Sequence, residues 1–171
     1  MYRRGFTIVE LLIVIVIIGI LAALVMGAYN GIQDKARVAK IQTDEKELIK
    51  AIISARQSTG NTLLEITGNT WTADSCFSQD SGTNLATIPK TDACWVTYMQ
   101  ALDDISTASE SNVRNITDPW GRPYYIDENE GEDPFDQCQE DIIGVYSYPF
   151  ENYGSTMYDF FIPLSLPESS C

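Results

Sequence analysis

The sequence predicts an α+β protein: one long N-terminal helix packed against a small antiparallel sheet of about three to four strands. Three observations carry this. From Leu11 to Gln33 there are 23 residues without a charged side chain, about 35 Å of helix. Beyond them Ile41, Leu48, Ile49, Ile52 and Ala55 recur at a helical period, so the run becomes a stripe. In the last third, Tyr124–Ile126, Ile142–Tyr148 and Met157–Leu166 have strand composition, with Pro163 marking an edge or a strand end.

The first stretch is long enough to cross a bilayer core of ~30 Å. A cleaved secretory signal would have a shorter apolar core followed by a small-residue cleavage site, and no such site precedes the polar, helical sequence downstream. A plain membrane anchor explains the length, and it places Arg3 and Arg4 on the cytoplasmic side. It does not explain Glu10, because a carboxylate facing lipid is costly and needs a partner. A cut between Gly5 and Phe6 would supply one: the new α-amino group of one subunit could pair with Glu10 of a neighbour packed helix to helix.

The segment Arg4-Gly-Phe-Thr-Ile-Val-Glu-Leu-Leu-Ile-Val14 closely resembles the class III signal of type IV pilins and of their relatives, the type II secretion pseudopilins and competence pilins. The resemblance covers about the first 35 residues, and Gly19 also fits a family glycine. It implies that a prepilin peptidase cuts after Gly5, that Phe6 is N-methylated and that Glu10 guides assembly. Where the family often has proline, this chain has Gly27, which weakens a helix interior by about 1 kcal/mol rather than about 3. The expected fold is thus that of a type IV pilin. Its parts would be a cleaved leader (1–5), a transmembrane or fibre-core half-helix (6–28), an amphipathic half-helix (29–58) and an acidic extracellular domain (59–171).

The amphipathic half places Lys40, Asp44, Lys46, Glu47 and Lys50 on an expected solvated face, Arg56 in the last turn and Gly60 as the helix stop. Residues 61–97, rich in Thr, Ser, Asn and Gly, read as a long connecting region with one short helix. Trp95–Ile105 reads as a second helix with Tyr98, Leu102 and Ile105 on one side. The four cysteines, Cys76, Cys94, Cys138 and Cys171, form no C-x-x-C motif, and outside the cytoplasm their even number reads as two disulfides. Of three connectivities, Cys76–Cys94 with Cys138–Cys171 is favoured, since the first closes a short loop and the second staples the C-terminus.

In Asp118-Pro-Trp-Gly-Arg-Pro-Tyr124, Asp-Pro opens a turn, Gly121 relaxes it and Trp120 can cover the sheet edge. The same pattern is similar to one found in major pseudopilins and many simple pilins just before the first strand. The acidic loop that follows has Asp127, Asn129 and Asp133 alternating around Gly131, as oxygen ligands of calcium would. An EF-hand would need a bidentate acid where Cys138 stands, so that version fails. Calcium-binding pseudopilins use a later loop, and Ser147–Asp159 keeps Asp159 without an acid-rich run. The loop reads first as a solvated hairpin tip, with calcium as the other reading.

Net charge is −13 and unevenly placed: about +3 through Gly60 and about −16 beyond it. Such a distal domain repels nucleic acid backbones, and its simplest use is solubility. No histidine, Gly-rich phosphate loop or spaced nucleophile–base set is present, so no enzymatic activity is expected. The expected function is a structural subunit of a type IV pilus or pilus-like filament. Its partners would be further copies, other pilins, prepilin peptidase and the assembly machinery in the membrane. It would cross the inner or cytoplasmic membrane once before assembly. Afterwards it would lie in an extracellular pilus or an envelope-spanning pseudopilus. The alternatives are a type II secretion pseudopilin and a minor pilin or membrane-tethered binding module that contacts a surface, a ligand or DNA.

Overall fold

The computed structural model describes residues 7–132, 139–147, 149–151 and 158–161, and of residues 24–30 and 158–161 the backbone alone. Among the described residues, four helices precede three strands: α1 (Ile8–Thr59), α2 (Leu63–Thr67), α3 (Asp74–Phe77), α4 (Ala93–Ser109), β1 (Tyr125–Asp127), β2 (Ile142–Val145) and β3 (Tyr158–Phe161). Two compact units divide the chain, Met1–Ala39 and Lys40–Cys171. In the first, the described side chains of the apolar run are exposed, from Ile8 at 85% to Leu21 at 56%.

In the second unit α1 ends where expected. Gly60 takes a positive φ of 72°, and its N–H donates to the Arg56 carbonyl at 2.8 Å, closing the helix. Thr62 then opens α2 with a capping box: its hydroxyl accepts from the Glu65 N–H at 3.3 Å, and the Glu65 carboxylate accepts from the Thr62 N–H at 3.0 Å. Asp92 caps α4 by accepting from the Cys94 N–H at 3.0 Å.

The sheet is antiparallel in the order β1-β2-β3, with Ile126 opposite Ile143 and Gly144 opposite Asp159. Its buried face meets the helical stripes in one core: Ile41, Leu48 and Ile52 of α1, Trp95, Tyr98, Leu102 and Ile105 of α4, and Ile126, Ile143 and Val145 of the strands. Each of these large side chains is worth about 1.5–3 kcal/mol when withdrawn from water. The α+β expectation and the second helix with its three-residue face hold, and the described strands overlap the expected stretches; Met157 and the stretch from residue 162 on, with Pro163, lie outside the described residues.

Three expectations change. The connecting region holds two short helices rather than one, and it is packed: Leu63, Ala73, Cys76, Phe77 and Leu85 are buried. The Cys76–Cys94 disulfide ties α3 to α4 within a second cluster with Phe77, Leu85, Tyr146 and Phe150. Cys138 and Cys171 lie outside the described residues. Asp44, expected on the solvated face, is buried, because it accepts from the Tyr124 hydroxyl at 2.6 Å and from Lys40. The acidic loop is solvated only in part: Glu128 and Glu130 are buried, Gly131 and Glu132 are exposed, and Asp133 lies outside the described residues.

Candidate functional site

The N-terminus carries the first candidate. Gly5 and Phe6 lie outside the described residues, and the description starts at Thr7. The carboxylate of Glu10 accepts from both the N–H and the hydroxyl of Thr7 at 2.8 Å, and the Thr7 hydroxyl accepts from the Glu10 N–H at 3.3 Å. This reciprocal arrangement is a capping box, and it satisfies donors that a helix start leaves bare. Glu10 therefore has a local partner within its own helix start, at the fifth position counted from Phe6. The Thr-x-x-Glu spacing was visible in the sequence and signals this cap. Around it the helix shows no polar face: residues 11–18 and 20–21 are all apolar and roughly half exposed. An added Cβ at Gly19 would meet nothing within 4 Å. A helix apolar all round requires lipid or other helices as its surroundings. Among the described residues, no helical segment is long and apolar enough to cross a membrane. The side chains of the uncharged run Leu11–Gln33 are described up to residue 23 and again from residue 31.

The second unit contains a buried charged clasp that the sequence reading missed. Arg56 pairs with Glu130 at 2.8 Å and with Asp141, all three side chains being at most 3% exposed. Asp141 also accepts from the Glu130 N–H at 2.9 Å, so its two oxygens hold the loop after β1 to the end of α1. Glu128 is wholly buried and accepts from the Thr72 N–H at 2.7 Å, the Thr67 hydroxyl at 3.1 Å and the Thr72 hydroxyl. Burial pushes Glu128 up to about 7 against these hydrogen bonds, and the nearby Asp141 charge adds to the rise. Burial likewise pushes Asp141 up to about 6, although the Glu130 N–H and Arg56 pull the other way. A signal did exist: Arg56 continues the i, i+4 row of Leu48 and Ile52, and Asp44 stands three residues after Ile41. Both positions lie on the core stripe, where a charge must find a buried partner.

The motif at 118–122 is a locked turn. Asp118 accepts from the N–H groups of Trp120 at 2.9 Å and Arg122 at 2.7 Å, and from Arg122 Nε at 2.6 Å. Gly121 adopts φ +77°, which a side chain would strain. The Arg122 guanidinium donates to the carbonyls of Tyr146 and Ser147 at 2.8 Å and lies 4.9 Å from the Trp120 ring, so the turn is strapped to the chain leaving β2. Trp120 packs against the main core, in keeping with a structural role.

The candidate calcium residues are only partly described. Asp127 accepts from the Tyr125 hydroxyl at 2.8 Å, Asn129 donates to the Glu140 carbonyl at 3.1 Å, and Asp133 lies outside the described residues. Among the described residues, no group of three or more His, Cys, Asp or Glu side chains is placed to hold a metal ion.

Neither a curated protein nor a solved structure matches this chain. Residues 1–26 match the family model of the prokaryotic N-terminal methylation motif. With the Gly5–Phe6 junction, the Thr7–Glu10 cap and the bare apolar helix behind them, the chain carries at its N-terminus the class III signal of type IV pilins and pseudopilins.

Proposed function

We propose that this chain is a structural subunit of a type IV pilus or pilus-like filament. The methylation motif at residues 1–26, leading into a helix whose apolar side chains stand uncovered, carries the reading. Prepilin peptidase cuts after Gly5, Phe6 is methylated, and the helix waits in the inner or cytoplasmic membrane. On assembly the helices leave the bilayer and pack together, so apolar surface first covered by lipid is next covered by copies of itself. The α-amine at Phe6 of an incoming subunit competes with Thr7 for the Glu10 carboxylate of its neighbour, which sets axial register. The domain from about residue 59 faces outward, and the cluster of Arg56, Glu130 and Asp141 keeps it rigid at the helix end.

The test removes the Glu10 carboxylate. Glu10→Ala should leave membrane insertion intact and reduce sheared filament yield at least about tenfold, the effect of roughly 1.4 kcal/mol at the docking step. Filaments of normal yield from that variant would remove Glu10 from the mechanism. A second reading, a type II secretion pseudopilin, draws on the strapped Asp118–Arg122 turn. Short periplasmic assemblies in place of long surface fibres would favour it.

A further inference from the structure

This inference rests on the reading of the chain as a polymerising subunit and concerns how the outer domains meet. Two faces of the second unit carry complementary chemistry. On α1, Lys46, Ile49, Lys50, Ile53, Ser54 and Gln57 line a shallow, mainly apolar groove of about 460 Å³. The spacing 46, 49, 50, 53, 57 is one helical row, with both lysines exposed, both isoleucines half-buried and Glu47 outside the lining. On α4, the side facing away from the core presents Val96 at 48% exposure, Met99 at 37%, Gln100 and Asp103, again one helical row, with Asp104 beside it. No basic residue lies on α4. Asp104 accepts from the Gln100 amide at 3.0 Å, and Asp103 from Arg114 at 2.5 Å, a pair in which both partners are more than 40% exposed.

We propose that the α1 groove of one subunit receives the outer face of α4 of a second copy, with Val96 and Met99 seated on Ile49 and Ile53 and the two aspartates set against Lys46 and Lys50. Each face carries what the other lacks. The groove offers an apolar floor with two cations, and the α4 row offers two apolar side chains with two anions, of which Asp103 also pairs with Arg114. Pairing two different patches of one molecule is heterologous, so it does not close on itself as a twofold dimer would, and repetition with a rise along the axis generates an open filament rather than a ring. The apolar side chains supply the burial, while the charges steer approach and fix register. Two helix faces a few turns long cover less than the roughly 1,000 Å² that a stable free pair needs. The contact therefore forms once the N-terminal helices have brought copies together at high effective concentration.

The experiment uses the full chain in a filament-forming host. It combines a zero-length carboxyl–amine crosslink on wild-type filaments with two charge reversals, Lys46→Asp/Lys50→Asp and Asp103→Lys/Asp104→Lys. The expected crosslinked peptides join Lys46 or Lys50 of one copy to Asp103 or Asp104 of another. Each reversal should lower filament yield about tenfold or more by setting like charges face to face. The four-residue combination should restore yield to within about twofold of wild type, since the opposed charges are again paired. Far-ultraviolet circular dichroism of each purified variant shows that the fold is retained, and the crosslink arm needs no variant at all. Normal filaments from either reversal, a combination as poor as its parts, or wild-type filaments without these crosslinks would overturn this pairing and leave the polymer reading standing. Absence of wild-type filaments would overturn both.

Discussion

Replacing Arg56 by methionine removes, among the described residues, the cation that faces Glu130 and Asp141 while keeping a side chain of similar reach. Taking one partner from a buried ion pair costs about 3–5 kcal/mol, because the remaining charge keeps its desolvation without its compensation. Here two carboxylates lose their cation, and the Glu128 carboxylate lies close enough to Asp141 to feel its charge. For a folded unit of this size, 1 kcal/mol moves the midpoint by roughly 3–5 °C, so Arg56→Met should lower Tm by about 10–20 °C at pH 7.5. The loss should shrink near pH 5, because burial already pushes Asp141 up to about 6 and, once protonated, it no longer needs a cation. Adding Glu130→Gln and Asp141→Asn should recover most of the stability, since neutral groups tolerate burial far better. The assay is thermal unfolding of the full chain in a mild non-ionic detergent, followed by near-ultraviolet circular dichroism at both pH values. A drop of under about 3 °C at pH 7.5, well below the range set by a broken buried pair, would refute the reasoning. So would an equal drop at both pH values.

The wild-type domain should lose stability as pH rises from about 4.5 to about 7, opposite to acid denaturation. Glu128 and Asp141 titrate near 7 and 6 when folded, above their ordinary carboxyl values. The folded state therefore holds more protons than the unfolded chain in that window, and raising pH removes the advantage. Glu128→Gln should flatten this slope by on the order of 2 kcal/mol between pH 5 and 8, read from urea midpoints at each pH. Asp118→Ala should cost about 3 kcal/mol or more, because Arg122 stays buried without its carboxylate and two turn N–H groups lose their acceptor. Asp118→Asn, which keeps an acceptor for the turn, should cost less; the same denaturant titration orders the three proteins.

Apolar spacing made much of this architecture readable. Ile41, Leu48 and Ile52 repeat at a helical period, and they lie in the core with the strands whose composition had marked them. Tyr98, Leu102 and Ile105 likewise named the inner face of α4. What escaped were charges placed on those same rows. Arg56 sits one turn beyond Ile52, yet a basic residue in a last helical turn also suits the helix dipole, and that local explanation hid the buried one. Its partners come from 74 and 85 residues further along, a distance over which periodicity carries no information. Glu128 and Glu130 looked like part of a wet acidic loop, because composition cannot show that Thr67, Thr72 and Arg56 converge on them. Glu10 was legible as an anomaly in an apolar run, but its bond to Thr7 follows from the capping-box spacing rather than from the anomaly.

The central claim is that the chain is trimmed, methylated and held in a polymer by its own N-terminal helix. Mass spectrometry of the N-terminal peptide, taken from material sheared off the cell surface, tests it most directly. The account requires a chain that begins at N-methylated Phe6 and is recovered in filaments. A chain in the envelope that still begins at Met1, with none in the sheared fraction, would contradict it.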